Sequence, residues 1–141
     1  SDAHQGGQLN LDDVEFRQGY GIGWQPYAHS KLANVMFTYE LARRLPTGRV
    51  TANVLHPGFV ASKFGHNNAG VASVALKAIS RLVAISPEKG AQTSIYLASS
   101  PEVEGVTGKY FINCKPKPST RASYDTAAAQ RLWDLTLGMV G

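Results

Sequence analysis

The chain has 141 residues, 43% of them hydrophobic, which suits one folded domain and excludes a disordered chain. Its formal charge is +4, with 14 Lys+Arg scattered against 10 Asp+Glu and Lys109, Lys115 and Lys117 the densest group, so no nucleic-acid partner is expected. The single cysteine, Cys114, excludes an internal disulfide, and no apolar run approaches the length of a membrane span.

Residues 5 to 25 are rich in Gly, Gln, Asn and Asp without sustained periodicity and read as a loop. Pro26 suits a first helical turn, and Leu32, Val35, Met36, Tyr39 and Ala42 follow as an apolar stripe at helical spacing. Arg43 and Arg44 suit the negative end of the helix dipole, and Pro46 with Gly48 ends the helix. Val50, Ala52 and Val54 alternate with Thr51, Asn53 and Leu55, a short strand that stops at Pro57-Gly58. Residues 61 to 72, small and polar, read as a mobile loop, and Ala75, Ala78, Ile79, Leu82 and Val83 make a second helical stripe. Ser86 is an N-cap with Pro87 behind it, opening a helix to about Ala98. Tyr110 to Cys114 reads as the last strand and roughly Tyr124 to Leu137 as a closing helix. This order implies α/β architecture with parallel strands, although two strands are too few for an open sheet with helices on both faces.

Tyr27 and Lys31 carry the chemistry. In a helix, i and i+4 side chains share a face, with Cβ atoms roughly 6 Å apart. A lysine cation held near a phenol favours the phenolate, which suits proton transfer to or from an oxygen. The spacing alone is common on solvated helices.

The string Tyr27-Ala28-His29-Ser30-Lys31-Leu32-Ala33-Asn34 resembles the active-site helix of the short-chain dehydrogenase/reductase family, whose signature is Tyr-x-x-x-Lys, in its retinol-dehydrogenase-like branch. Ser1-Asp2-Ala3-His4 resembles the end of the strand that carries the family's serine, and Glu40-Leu41-Ala42-Arg43-Arg44-Leu45 continues the helix as that branch does. Leu55-His56-Pro57-Gly58-Phe59-Val60 resembles the turn after the next strand. Ser86 to Thr93, Gly108-Lys109-Tyr110-Phe111 and Arg131-Leu132-Trp133-Asp134 are similar to later segments, in the right order.

The resemblance implies the C-terminal portion of a Rossmann-type, doubly wound parallel sheet, with residues 1–141 the catalytic half of one domain and the N-terminal half, with its glycine-rich turn, absent. The two strands are neighbours at one side of the family's sheet, so this chain alone should expose a sheet edge. Tyr27 is then the proton donor and acceptor at the substrate oxygen, and Ser1 hydrogen-bonds that oxygen. Lys31 holds the nicotinamide ribose and favours the phenolate. Pro57 and Gly58 shape the floor beneath the nicotinamide. The Val60 backbone and the Ser62 hydroxyl match positions that contact its carboxamide, serine standing where the family usually has threonine.

These expectations describe an oxidoreductase that uses NAD or NADP on a small apolar alcohol or carbonyl, as a possible homo-oligomer in the cytoplasm. A lost N-terminal anchor is left open, and the isolated chain is expected to be inactive. The alternative is a non-catalytic interaction module that retains half an enzyme fold.

Other patterns are decoys. Gly19-Tyr20-Gly21-Ile22-Gly23 has no apolar strand before it and reads as a loop insertion. Asn67-Asn68-Ala69-Gly70 spells a family motif in the wrong place. His4, His29, His56 and His66 lack metal-ligand spacing and are expected at the surface or in turns, and Cys114 in a buried strand.

Overall fold

The computed structural model describes residues 1–19, 24–46, 48–60 and 85–140. The second helical stripe, Ser62 and the segment Asn67 to Gly70 lie outside these residues, as does most of the glycine-rich insertion.

Helix α1 spans Gln25–Arg44, with Pro26 in its first turn and Arg43 and Arg44 in its last. Ala28, Leu32, Val35, Met36 and Tyr39 are buried along it, close to the predicted stripe, whereas Ala42 is only half-buried. One part of that stripe, Leu32 and Met36, packs on Ala129 and Leu132 of helix α3, Thr126–Val140. The adjacent part, Val35 and Tyr39, packs on Tyr110, with Val54 and Ile112 around them. Helix α1 is therefore a middle layer, with the sheet on one side and α3 on the other.

Glu40 is buried on the same helix, which its charge opposes unless it is paired. Arg43 Nη2 and Arg44 Nε each donate to a different Glu40 carboxylate oxygen at 2.6 Å. Burial alone would raise the carboxyl, but the hydrogen bonds from Arg44 and Arg43 outweigh it and hold Glu40 below its ordinary value of 4.5. The unfolded chain then binds more protons than the native one below that value. The resulting stability is complete above pH 4.5 and is lost as pH falls through the lowered native value. Urea midpoints measured between about pH 6 and about pH 3 should therefore drop less steeply in Glu40→Gln than in the unmodified protein. Equal slopes would contradict the ion-pair assignment.

The described sheet has three strands in the order β1-β2-β3. Strand β1, Val54–His56, runs parallel to β2, Tyr110–Ile112, with Leu55 opposite Phe111. It begins later than the alternation of residues 50 to 55 predicts, and ahead of it side-chain bonds join the backbone bond from Gly108 N–H to the Ala52 carbonyl at 2.8 Å. Asn53 Nδ2 donates to the Val106 carbonyl at 2.6 Å, and its Oδ1 accepts from Lys109 N–H at 3.0 Å. Being at one end of the order, β1 has no second partner strand among the described residues, as expected for an exposed edge.

The predicted strand from Tyr110 to Cys114 is half strand and half turn. Asn113 and Cys114 lie at φ 51° and 60°, the two positive values that a two-residue hairpin turn of the I′ type requires. The chain reverses there into β3, Lys115–Lys117, antiparallel to β2. Cysteine is uncommon at positive φ, so the turn carried no sequence signal. Its N–H is held by Thr93 Oγ1 at 3.2 Å. The exposed Lys-Pro-Lys of β3 caps the sheet with charge and with a residue that cannot donate to another strand.

Helix α2, Pro87–Ser99, starts as predicted, the Ser86 side chain accepting from Lys89 N–H at 3.3 Å. Its Tyr96 ring meets Phe111 at 6.4 Å between centroids. Phe111 points opposite to Tyr110 and Ile112, which face α1, because strand side chains alternate. Helices thus cover both faces of this small sheet, contrary to the expectation from strand number. Residues 121 to 124 form a short 3-10 turn before α3, which starts at Thr126 rather than at the predicted Tyr124. No described helix is long and apolar enough to cross a membrane.

Candidate active site

Ser1 caps a short 3-10 turn, Asp2–Gly6, its Oγ accepting from Ala3 N–H at 3.2 Å. This turn lies directly on α1 because the residue that follows it has no side chain. A Cβ on Gly7 would stand 2.6 Å from the Ala28 carbonyl oxygen and 2.9 Å from Leu32 Cβ. Ala28 and Leu32 directly follow Tyr27 and Lys31 in the chain, so the contact that seats the turn also brings Ser1 to that part of the helix.

There the Tyr27 hydroxyl donates to Ser1 Oγ at 3.3 Å. Lys31 Nζ stands 5.1 Å from the centre of the Tyr27 ring, and Trp24 tilts against that ring at 5.0 Å between centroids. Tyr27 and Lys31 are both half-buried. The Ser1 hydroxyl can accept two hydrogen bonds and donate one. Ala3 N–H and the Tyr27 hydroxyl occupy its acceptor side, and its proton remains to donate. Among the described residues Lys31 makes no ion pair. The Ser1 hydroxyl donor and the Lys31 cation are therefore presented together beside the Tyr27 phenol, a set suited to a substrate oxygen and to ribose hydroxyls.

Pro57-Gly58 leaves the C-terminal end of β1, the end at which parallel sheets receive ligands. Gly58 has φ 89°, and a Cβ there would press on Ile85 Cδ1 at 2.8 Å. The positive φ calls for glycine, whereas the Ile85 side chain could shift to make room. Val60 pairs with Ile85 in a parallel bridge and packs so tightly on Gly90 of α2 that a Cβ would come within 2.5 Å. The turn thereby joins the end of β1 to the start of α2.

His56 is the last residue of β1, directly before the Pro57-Gly58 turn. Burial holds its imidazole below the ordinary value, and Asp2 and His4 also act on it. Ser62 is not among the described residues.

Three residues of this neighbourhood escaped the sequence reading. His4, expected at the surface or in a turn, is completely buried within the 3-10 turn, and His56 is half-buried rather than exposed. Gly7 gave no motif at all, since its importance comes from a contact with a helix twenty residues away. A separate apolar cavity of about 280 Å³ opens between the Leu9–Phe16 loop, α1 and α3. It includes His29 and Ala33 but neither Tyr27 nor Lys31, and so belongs to another face of α1.

The structure thus brings together a tyrosine and a lysine one turn apart on α1 and a serine hydroxyl on the phenol, with a Pro-Gly turn at the end of a parallel strand. No protein-family model matches the chain. Individual proteins do: it is 46% identical to human retinol dehydrogenase 14 over 139 residues, 96% of this chain and 40% of that protein. It is 38% identical to human retinol dehydrogenase 13 and 38% identical to human polyprenol dehydrogenase, each over 143 residues and 43% of the relative. A crystal structure of an uncharacterised protein from Mycobacterium paratuberculosis superposes with a TM-score of 0.66 at 27% identity, covering 97% of this chain and 46% of that one. The chain belongs to the short-chain dehydrogenase/reductase family, in its retinol-dehydrogenase-like branch, and holds part of that Rossmann-type fold. It spans about two fifths of the length of these curated relatives.

Proposed function

We propose that the natural full-length protein is an NAD(P)-dependent oxidoreductase that interconverts an alcohol and a carbonyl, with Tyr27, Lys31 and Ser1 as its catalytic set. The observation that carries this reading is the 3.3 Å hydrogen bond between Tyr27 and Ser1 beside the Lys31 cation. The dinucleotide, NAD or NADP, supplies or accepts the hydride. Every other role falls to the chain.

In the reducing direction the Tyr27 hydroxyl gives its proton to the substrate oxygen, and in the oxidising direction the phenolate takes it back. Ser1 turns its remaining O–H toward the same oxygen and stabilises the charge that develops there. Lys31 would hold the nicotinamide ribose through its ammonium hydrogens. By the family resemblance, Pro57 and Gly58 would form the floor beneath the nicotinamide, and the Val60 backbone and Ser62 hydroxyl would hold its carboxamide.

Relatives named for retinol and polyprenol support an apolar alcohol or aldehyde as substrate. The test is a spectrophotometric assay of the full-length protein with each reduced dinucleotide and a series of aliphatic and isoprenoid aldehydes. Aldehyde-dependent oxidation of one dinucleotide is expected. Bound dinucleotide without turnover across the whole series would overturn the reading. The 141-residue chain by itself is expected to give neither turnover nor stoichiometric dinucleotide binding in the same assay.

A further inference from the structure

The imidazole of His4 is wholly enclosed, lies 4.9 Å from the Tyr110 ring between centroids, and has a partner at each nitrogen. Nδ1 is 3.0 Å from the Ser1 carbonyl oxygen, and Nε2 accepts the Thr120 N–H at 3.2 Å. An amide N–H can only donate, so Nε2 carries the lone pair and Nδ1 carries the proton. The neutral Nδ1–H tautomer satisfies both contacts. With no nitrogen left over and no exposure, this ring has no route to a substrate. Its effect must pass through Ser1.

The Thr120 peptide that fixes the ring is itself anchored to α1. The Thr120 carbonyl accepts from Ser123 Oγ at 2.6 Å, and Ser123 Oγ meets Ser119 Oγ at 2.6 Å. Ser119 Oγ in turn meets the Tyr39 hydroxyl at 2.7 Å. Tyr39 lies on α1 a little over three turns beyond Tyr27. A closed circuit results, running from the catalytic helix through Tyr39, residues 119 to 123, His4 and Ser1 back to Tyr27. Side chains held in this way keep a fixed distance to one rigid element, which is what a site built at the end of a chain turn otherwise lacks.

We propose that His4 is a positioning residue for the reaction: by holding the Ser1 carbonyl it sets the place of Ser1 Oγ relative to the Tyr27 hydroxyl. This rests on the reading of Ser1 and Tyr27 as catalytic. Asparagine can put an amide N–H where Nδ1 stands, whereas the longer glutamine puts its polar atoms where Nε2 stands. The contact that matters is thus separable from the one that anchors it.

The experiment measures kcat and KM of the full-length protein carrying His4→Asn, His4→Gln, Ser1→Ala, and Ser1→Ala combined with His4→Gln. Rates are normalised to dinucleotide-binding sites, so that only folded protein counts. His4→Gln is expected to lower kcat by about 10²-fold with KM little changed, the cost of a misplaced reacting group. His4→Asn should recover most of that loss, and the double variant should be no slower than Ser1→Ala alone, because His4 acts through Ser1. Equal rates in the Asn and Gln variants, or losses that multiply in the double variant, would overturn the proposal while leaving Ser1 catalytic. A Ser1→Ala variant with undiminished kcat would overturn the reading of Ser1 and the proposal with it.

Discussion

Replacing Tyr27 by phenylalanine in the full-length protein is expected to lower kcat by about 10³-fold or more while melting temperature and KM stay close to the unmodified values. The change removes one oxygen. The ring keeps its contacts with Trp24 and with Lys31, so packing at the head of α1 is retained. What is lost is the group that exchanges a proton with the substrate oxygen, together with one 3.3 Å hydrogen bond to Ser1 at a half-buried site. A bond of that kind contributes about 1 kcal/mol or less to stability, too little to unfold the protein. Proton transfer by a placed side chain is worth far more to the rate. A Tyr27→Phe protein that turns over at the unmodified rate would remove Tyr27 from the chemistry.

The second large effect is expected from a single methyl group placed where no catalytic residue lies. Gly7 has φ −82° and ψ 142°, extended values that alanine adopts without strain. Its neighbours are the obstacle, since the new Cβ would meet backbone oxygen of Ala28 at 2.6 Å. Ala28 is helical backbone in the fully buried part of the first turn of α1 and cannot step aside, so the 3-10 turn must lift away from it. Overpacking of this kind costs about 1–3 kcal/mol. The same displacement carries Ser1 off Tyr27, and a catalytic group moved by about 1 Å loses about 10²-fold in kcat. Gly6 is the control, because nothing lies within 4 Å of a Cβ built there. Denaturant titration and kcat measured together should show Gly6→Ala near neutral and Gly7→Ala impaired in both. Equal behaviour of the two variants would show that the turn is not seated by Gly7.

The elements that the sequence revealed most clearly are those whose signal is local. Pro26 at the head of α1, the stripe from Leu32 to Tyr39 and the Ser86-Pro87 start of α2 each declare themselves within a few residues. Tyr27 and Lys31 needed only a helix to be placed together, and Ser1 joined them through the resemblance to a family. The hairpin at Asn113-Cys114 was hidden because one of its two positive-φ residues is a cysteine, whereas asparagine followed by glycine would have announced it. The burial of Glu40 carried no sequence signal, because it depends on two arginines that the helix turns back toward it. His4 and Gly7 were illegible for the same reason as each other. Their roles are contacts with Thr120 and Ala28, far away in sequence, and no spacing rule encodes such contacts.

The most direct test of the central claim, that Tyr27, Lys31 and Ser1 frame a hydride-transfer site, is a crystal structure of the full-length protein with a bound dinucleotide. The nicotinamide ribose is expected within about 3 Å of Lys31 Nζ, with the ring over Pro57-Gly58 and its reactive carbon on the side of the Tyr27 hydroxyl. A dinucleotide whose nicotinamide lies away from Tyr27, with Lys31 touching no part of it, would contradict the assignment.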